Sequence, residues 1–568
     1  MQALKELWVW ATDNGAKLDN IAPLALDSGD RIVVASREIK DREEIARIPP
    51  EILMSETKAA ASVVGVAIRR SVSVDCTEFS SPRALGLLQL IVFMVHEGFE
   101  KGRDSFYHPY LSTLPTSFPT LPYYFTDDEL GRFIGNETNL VKTVRSKLAI
   151  LRKGFEIGKR FVCLRFNSAV SACSEHFSPG TLTWDNFLWA FANISSRAFP
   201  LLSPVESPDV PLVATRDPEI AMWPVLDLCN HRLDQPIEWQ VSAKDSSVSY
   251  VCRERIGIPA GHEILSNYGA KGNEMLLSAY GFLLESNPND YFKVNLAVDS
   301  SRDPLGFGKQ RVLEYAKIPT SFLLFADDAG SVQSHGIMAA MRVYCVNSAE
   351  LLAYADNEDF IGQRNEISAL SQLHMLLSRS RERIIQEAER HQGYICQSAL
   401  EKEKQRMGRC YRDSQVAIID VYLAKLQASL EKMLPSLQKL IPLDMDCLSS
   451  IDYGDRFSGD ILELCMDPNG PLDEDSVVTL LIASRMAPRE ESKEYRVEDE
   501  EAYRSHFEEF VEPLLYERGI QLSVGVDQWL QACEYMERNE IALPRDLLER
   551  RFPGVFAGAD LSMSFILL

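Results

Sequence analysis

The sequence predicts an α+β protein: a small β-rich core split by a helical insertion, then an all-α domain and a mainly helical extension. Three observations carry this. Short β-like runs fill the first ~80 residues and return only around Trp223 to Ser266, a mostly helical stretch separates them, and long apolar stripes at helical spacing follow Asp290. Strands divided in this way must find one another to satisfy their backbone groups, so the block between them reads as an insertion.

Arg31-Ile32-Val33-Val34-Ala35 and Glu44-Ile45-Ala46-Arg47-Ile48, the second closed by Pro49-Pro50, read as small antiparallel strands. Ser81-Pro82 offers an N-cap and a proline at the first helical turn, opening a helix through the apolar run from Leu85 to near Gly98. Gly86 and Gln89 interrupt that run, which is well short of the ~20 residues a bilayer span needs, so a buried helix is expected. Helical text with Trp184, Phe187 and Trp189 continues to about Pro200. Beyond Asp290, Ile367, Leu370, Leu373 and Leu377 form one stripe; Val416, Ile419, Leu423, Leu426, Leu430 and Leu434, stopped by Pro435, form another. Both read as the core of a helical bundle. The acidic cluster Glu490 to Glu509 reads as a solvated face or linker.

A chain of 568 residues is too long for one core. The expected divisions are 1–84 and 216–290 for the β core, 85–215 for the insertion, 291–445 for the all-α domain and 446–568 for the extension. A hydrophobic fraction of 46% with 25% charged residues is that of a folded globular protein. The 11 cysteines, from Cys76 to Cys533 without a C-x-x-C pair, suit reduced thiols and argue against structural zinc; no metal is expected. A net charge of −23 repels a phosphate backbone and attracts a basic segment, so no nucleic acid and no membrane is expected as partner. Glu6, Asp13 and Asp19 fit neither a secretory nor a transit pattern, which points to a cytoplasmic or nuclear protein, or a plastid one if a leader has been removed.

No G-x-G-x-x-G, Walker A, G-x-S-x-G or H-E-x-x-H occurs, which removes the common nucleotide, esterase and zinc-protease readings. Two segments stand out: Asp227-Leu228-Cys229-Asn230-His231, and Ser266-Asn267-Tyr268-Gly269 leading through Asn273 to Tyr280-Gly281-Phe282. Taken singly, an Asn-His pair or a Tyr-Gly has a structural explanation. In this order, with Gly261-His262-Glu263-Ile264 just before the tyrosine, they resemble SET-domain protein methyltransferases, and more narrowly the Rubisco large-subunit methyltransferase type. Ser105-Phe106-Tyr107-His108-Pro109-Tyr110-Leu111, Pro122-Tyr123-Tyr124-Phe125 and Ser196-Arg197-Ala198-Phe199 match that family's helical insertion, and about 295–440 its helical substrate-binding domain.

The resemblance implies S-adenosylmethionine as cofactor, S-adenosylhomocysteine as product, and a non-histone protein substrate of a monomeric enzyme. It implies that Asn230, His231, Arg197, Tyr280 and Phe282 hold the cofactor, that Asp227 supports the turn beside it, and that Glu43 and Ile45 touch it from the opposite side. Tyr268 is the implied catalytic tyrosine, sharing a substrate channel with Phe199. The Ser-Arg-Ala-Phe form implies lysine as acceptor, since a histidine-directed branch carries an amide at the position of Phe199. Asp30-Arg31-Ile32 depart from the family's Gly-x-Gly, where Gly29 can partly replace the turn, and Tyr107 replaces a tryptophan. A catalytically silent scaffold that binds a protein partner and a histidine-directed protein methyltransferase are the competing readings; the pore tyrosine, which a binding module does not need, argues against the first.

Overall fold

Strands from the two ends of the first 290 residues pair with each other. The computed structural model describes residues 2–26, 31–71, 79, 81–161, 177–178, 180–201, 219–326, 331–347, 350–351, 361–433, 440–442, 474–483, 500–517, 526–544 and 562–567. In chain order the strands of the first unit are β1 (Ile21–Ala25), β2 (Arg31–Ala35), β3 (Glu44–Ile48), β4 (Met54–Ser55), β5 (Ala198–Leu201), β6 (Glu219–Met222), β7 (Ile237–Val241) and β8 (Val248–Cys252). They form three small antiparallel sheets, β1-β2, β3-β8-β7 and β4-β6-β5. Single bridges join Val34 to Glu263 and Ile39 to Ile258, and a parallel bridge sets His231 beside Ser266. That last pairing joins the two motif segments.

Helix α1 (Gln2–Asp13) precedes the strands, while α2 (Pro82–Val95), α3 (Asn139–Phe161) and α4 (Trp184–Arg197) fall between β4 and β5, as an insertion requires. Ser81 Oγ accepts the N–H of Ala84 and Pro82 occupies the first turn, so α2 starts where its capping residues dictate. Its residues from Leu88 to Val95 are all buried, which an all-round apolar helix demands. Helix α5 (Asn273–Tyr280) follows the last β segment.

The chain divides into two units, residues 1–289 with 394–411, and residues 290–393 with 412–568. In the second, β9 (Tyr291–Asn295) pairs with β10 (Ser321–Phe325), followed by α6 (Ser331–Tyr344), α7 (Gln363–Arg390) and, from residue 412 on, α8 (Ala399–Met433), whose first part belongs to the first unit. Ile367, Leu370, Leu373 and Leu377 of α7 share one buried cluster with Ile419, Leu426 and Leu430 of α8, and Val416 and Leu423 pack against it. Leu434 lies outside the described residues. No described helix is long and apolar enough to cross a membrane.

The described residues of the extension are mostly helical, in α9 (Glu474–Ala483), residues 500–517 and α10 (Val526–Asn539). Strands enter where none was expected: β11 (Leu440–Pro442), in the stretch expected to be all-α that also holds β9 and β10, forms an antiparallel sheet with β12 (Glu540–Pro544) and β13 (Ser562–Leu567) of the extension, in the order β11-β13-β12. Ser562-Met-Ser-Phe alternates with period two, and Pro544 ends an edge strand, where a missing N–H costs no ladder bond. Of the acidic cluster, residues 490–499 lie outside the described residues.

Candidate active site

A strained turn starts the site. Buried Val225 has φ 76°, a left-handed conformation that a β-branched residue adopts only under constraint from its surroundings. The tight turn Leu226–Leu228 follows and carries Asp227 into the interior, its N–H bonded to the Trp223 carbonyl at 3.0 Å. Asp227 Oδ2 accepts the Tyr110 hydroxyl at 2.7 Å. Arg197, the last residue of α4, donates to the Asp227 main-chain carbonyl at 2.8 Å, with its guanidinium 3.6 Å from Oδ2. Asp227 Oδ1 is buried with no hydrogen-bond partner among the described residues. Burial raises the Asp227 carboxyl above the ordinary carboxylate range, against the opposing effects of Arg197 and Tyr110.

The next residues build an aromatic wall. Ser266 donates its N–H to the Asn230 carbonyl at 2.7 Å, and Arg232 returns one to Ser266 at 3.0 Å. Tyr268 then donates its N–H to His231 Nδ1 at 3.1 Å and its hydroxyl to the Cys229 carbonyl at 3.0 Å. Nδ1 of His231 therefore holds a lone pair. The His231 and Tyr268 rings stack with centroids 4.8 Å apart, and Tyr268 stacks on Tyr280 at the same 4.8 Å. Gly281 ends α5 at φ 76°, and a Cβ there would lie 2.8 Å from Thr120 Oγ1; only glycine turns the chain this closely to bring Phe282 within 6.0 Å of Tyr280.

Burial sets the protonation states. It pushes the Tyr280 phenol up to about 12 and the Tyr268 phenol well above its usual value, so both stay neutral. Burial, with Lys271 nearby, holds His231 below its ordinary value, which favours the neutral ring that the Tyr268 N–H requires.

A cavity of about 520 Å³ opens between these walls, within the size range of small-molecule sites. Tyr268, Tyr280 and Phe282 give it an apolar side, Arg31 and Arg197 a cationic one, and Asn230 and Glu263 a polar rim joined by a 2.8 Å bond from Asn230 Nδ2. Among the described residues no cluster of three or more metal-ligating side chains occurs.

Of the residues singled out from sequence, Arg197, Asp227, Asn230, Tyr268, Tyr280 and Phe282 line this cavity, and His231 stands behind Tyr268 in the ring stack. Besides His231, three others do not line it. Glu43 forms an ion pair with Arg37 and accepts the Lys40 N–H at 2.9 Å, and Ile45 is buried in the core. Phe199 is buried against Trp223, centroids 4.6 Å apart, and edge-on to Trp239, in an aromatic cluster outside this cavity's lining. Gly29 and Asp30 lie outside the described residues; Arg31 donates to the Thr113 carbonyl at 2.7 Å and presents its side chain to the cavity. Sequence reasoning missed Arg31, Glu263 and Phe118 as lining residues and Tyr110 as the partner of Asp227. The only signal for Arg31 was its place in the middle of the segment that departs from the expected Gly-x-Gly.

No protein-family model matches the chain. It is 26% identical over 357 residues to the actin-histidine N-methyltransferase of Gallus gallus, covering 63% of this chain and 55% of that protein. Against the actin-histidine N-methyltransferase of Homo sapiens the identity is 25% over 347 residues, covering 61% and 53%. The chain thus spans about half the length of these curated relatives. Among solved structures it resembles the SET domain of LSMT bound to lysine and AdoHcy, with TM-score 0.57 and 18% identity over 81% of this chain and 98% of the other. Rubisco LSMT bound to AdoMet matches with TM-score 0.55 and 17% identity, covering 76% and 93%.

Proposed function

We propose that this chain, which has the SET-domain fold of the Rubisco LSMT structures, is an S-adenosylmethionine-dependent protein methyltransferase whose acceptor is a histidine side chain. The observation that carries the reading is the cavity in which the ring stack His231-Tyr268-Tyr280 faces a cationic edge. Such a lining fits the cofactor: Arg197 and Arg31 suit its carboxylate, Asn230 its polar groups, and the rings of Tyr280 and Phe282 its adenine and cationic centre. When bound, S-adenosylmethionine supplies an electrophilic methyl group.

The chain's own residues then orient and exclude water. The Tyr268 hydroxyl proton is committed to the Cys229 carbonyl, so its oxygen offers lone pairs to an N–H on the acceptor ring. As a neutral phenol it orients and does not act as a base. Asp227 fixes Tyr110 and Arg197, and the ring stack fixes Tyr268, so that rate comes from positioning.

The acceptor choice rests on the lone pair. A neutral imidazole has one at neutral pH, whereas a lysine ammonium must first lose a proton. The lining carboxylates Asp227 and Glu263 are engaged with Tyr110 and Asn230. The names of the curated relatives support histidine, and Phe199, on which the lysine expectation rested, does not line the cavity. Lysine is the second reading, favoured by the lysine-bound LSMT structure.

Methyl-labelled S-adenosylmethionine incubated with this protein and actin, followed by acid hydrolysis and amino-acid analysis, tests the reading. Labelled methylhistidine is expected. Methyllysine would transfer the acceptor to the second reading, and cofactor binding without transfer to actin or to any protein of a cell extract would favour the silent scaffold.

A further inference from the structure

The charged side chains lining the Tyr268 cavity, among the described residues, are Arg31, Arg197, Asp227 and Glu263. Its two carboxylates stand in opposite conditions. Asp227 is withdrawn: Oδ2 is held by Tyr110 and Arg197, and Oδ1 is sealed from solvent. Glu263 is only partly buried. Its Oε1 accepts from Asn230 Nδ2 at 2.8 Å, and no described residue donates to its Oε2.

The backbone holds Glu263 in place. It bridges Val34 of β2; on either side, the His262 carbonyl accepts the Ala35 N–H at 2.9 Å and the Ile264 N–H reaches the Val33 carbonyl at 2.8 Å. The bond from Asn230 also orients that amide. With Nδ2 committed to Glu263, Asn230 presents its other end, Oδ1, as an acceptor. Glu263 Oε2 and Asn230 Oδ1 are thus two open acceptors in a cavity whose other ionic groups with open hydrogen-bonding capacity are the Arg31 and Arg197 guanidiniums.

Charge balance says what the acceptors meet. S-adenosylmethionine carries a carboxylate, an ammonium and a sulfonium, hence a net positive charge, and Arg31 with Arg197 adds to it. Such an excess is costly where water is excluded, and an ammonium buried without an acceptor costs more still. The open carboxylate oxygen of Glu263 offsets both costs, as Asp227 Oδ1, out of reach, does not.

Resting on the cofactor reading above, we propose that Glu263 recognises the amino end of the cofactor: Oε2, with Asn230 Oδ1 beside it, accepts from the α-ammonium, while Arg31 and Arg197 hold the α-carboxylate. Glu263 then selects for ligands that carry the amine, and with both oxygens occupied it takes no proton from the acceptor side chain.

The test is calorimetry on the full chain with S-adenosylhomocysteine and with its analogue in which hydrogen replaces the α-amine. The wild-type protein should bind the deaminated analogue about tenfold more weakly or worse, having lost a charge-assisted hydrogen bond. Glu263→Gln keeps an oxygen for Asn230 Nδ2 and removes only the charge. S-adenosylhomocysteine should therefore weaken about tenfold in this variant, the deaminated analogue should be unchanged within error, and the discrimination between them should largely vanish. Glu263→Asp, which keeps the charge and shortens the reach, should lower the discrimination severalfold and serves if the glutamine variant does not fold. Equal affinity of the wild type for the two ligands, or a variant that weakens both alike as a merely structural residue would, overturns the proposal while leaving the cofactor reading intact. Failure of the wild type to bind S-adenosylhomocysteine at all overturns both.

Discussion

Arg197 with Asp227, and Arg37 with Glu43, are two arginine–carboxylate pairs in the same β-rich unit. At the first, the Asp227 side chain is 0% exposed, one oxygen lacks a partner, and burial raises the carboxyl above its ordinary range. At the second, the arginine is 52% exposed, and its hydrogen bond, with the Lys40 N–H, lowers Glu43 below that range. Both acids were expected beside the cofactor, yet only Asp227 lines the cavity. The contrast teaches that an arginine partner does not mark a site. Burial that costs more than the pairing returns does, because the fold keeps such a group only where its surroundings hold it in place.

The comparison breaks hardest at Asp227. Asp227→Ala leaves the Arg197 guanidinium and the Tyr110 hydroxyl facing an empty, buried space, and should cost roughly 3 to 5 kcal/mol in chemical unfolding. A loss near zero would mean that the pair is solvated and the contrast false. Tyr110→Phe removes one donor from the same carboxylate and should cost about 1 to 3 kcal/mol. A double-mutant cycle between the two positions should give strongly non-additive losses; additivity would separate them.

Proton linkage sharpens the same contrast through its sign. A raised carboxyl binds protons more readily folded than unfolded, so the Asp227 contribution is most favourable below its ordinary value and declines as pH rises through the folded one. Glu43 runs the other way: its contribution is present above the ordinary range and is lost as pH falls through the depressed folded value. His231, also depressed, contributes above about 6.5 and loses that contribution as pH falls toward its folded value, when protonated Nδ1 can no longer accept the Tyr268 N–H. Cofactor affinity followed by calorimetry should therefore hold through the ordinary histidine range and weaken as the solution is acidified through the depressed folded value, and an affinity unchanged once the ring is protonated would detach His231 from the site.

The smallest effect belongs to Glu43. Glu43→Gln removes a partly exposed ion pair and should leave unfolding and cofactor affinity unchanged within error. A marked loss of affinity would restore Glu43 to the cofactor site.

Local pattern explains how much of this was legible in the sequence. Strands β2 and β3 and the start of α2 follow from alternation and capping, properties of neighbouring residues. The Asn230-His231 and Tyr268 motifs were also legible, because both sit in short segments that the His231–Ser266 bridge joins. What local pattern does not encode is side-chain direction on strands. Phe199 and Ile45 lie on β5 and β3, where neighbouring side chains alternate faces, and both point into the core. The Tyr110–Asp227 bond joins residues far apart in sequence, which no local pattern encodes. The sheet β11-β13-β12 likewise joins strands distant in sequence, the first of them ahead of the extension.

The central claim is that the Tyr268 cavity performs methyl transfer, and Tyr268→Phe tests it most directly, since the ring keeps its stack on His231 and Tyr280 while the hydroxyl is removed. Cofactor affinity by calorimetry and single-turnover methyl transfer to protein would be measured on the same preparations, with unfolding checked because the Cys229 carbonyl loses its donor. The predicted result is near-unchanged cofactor affinity with turnover reduced about 10²-fold or more. Full transfer activity in the phenylalanine variant would contradict the claim.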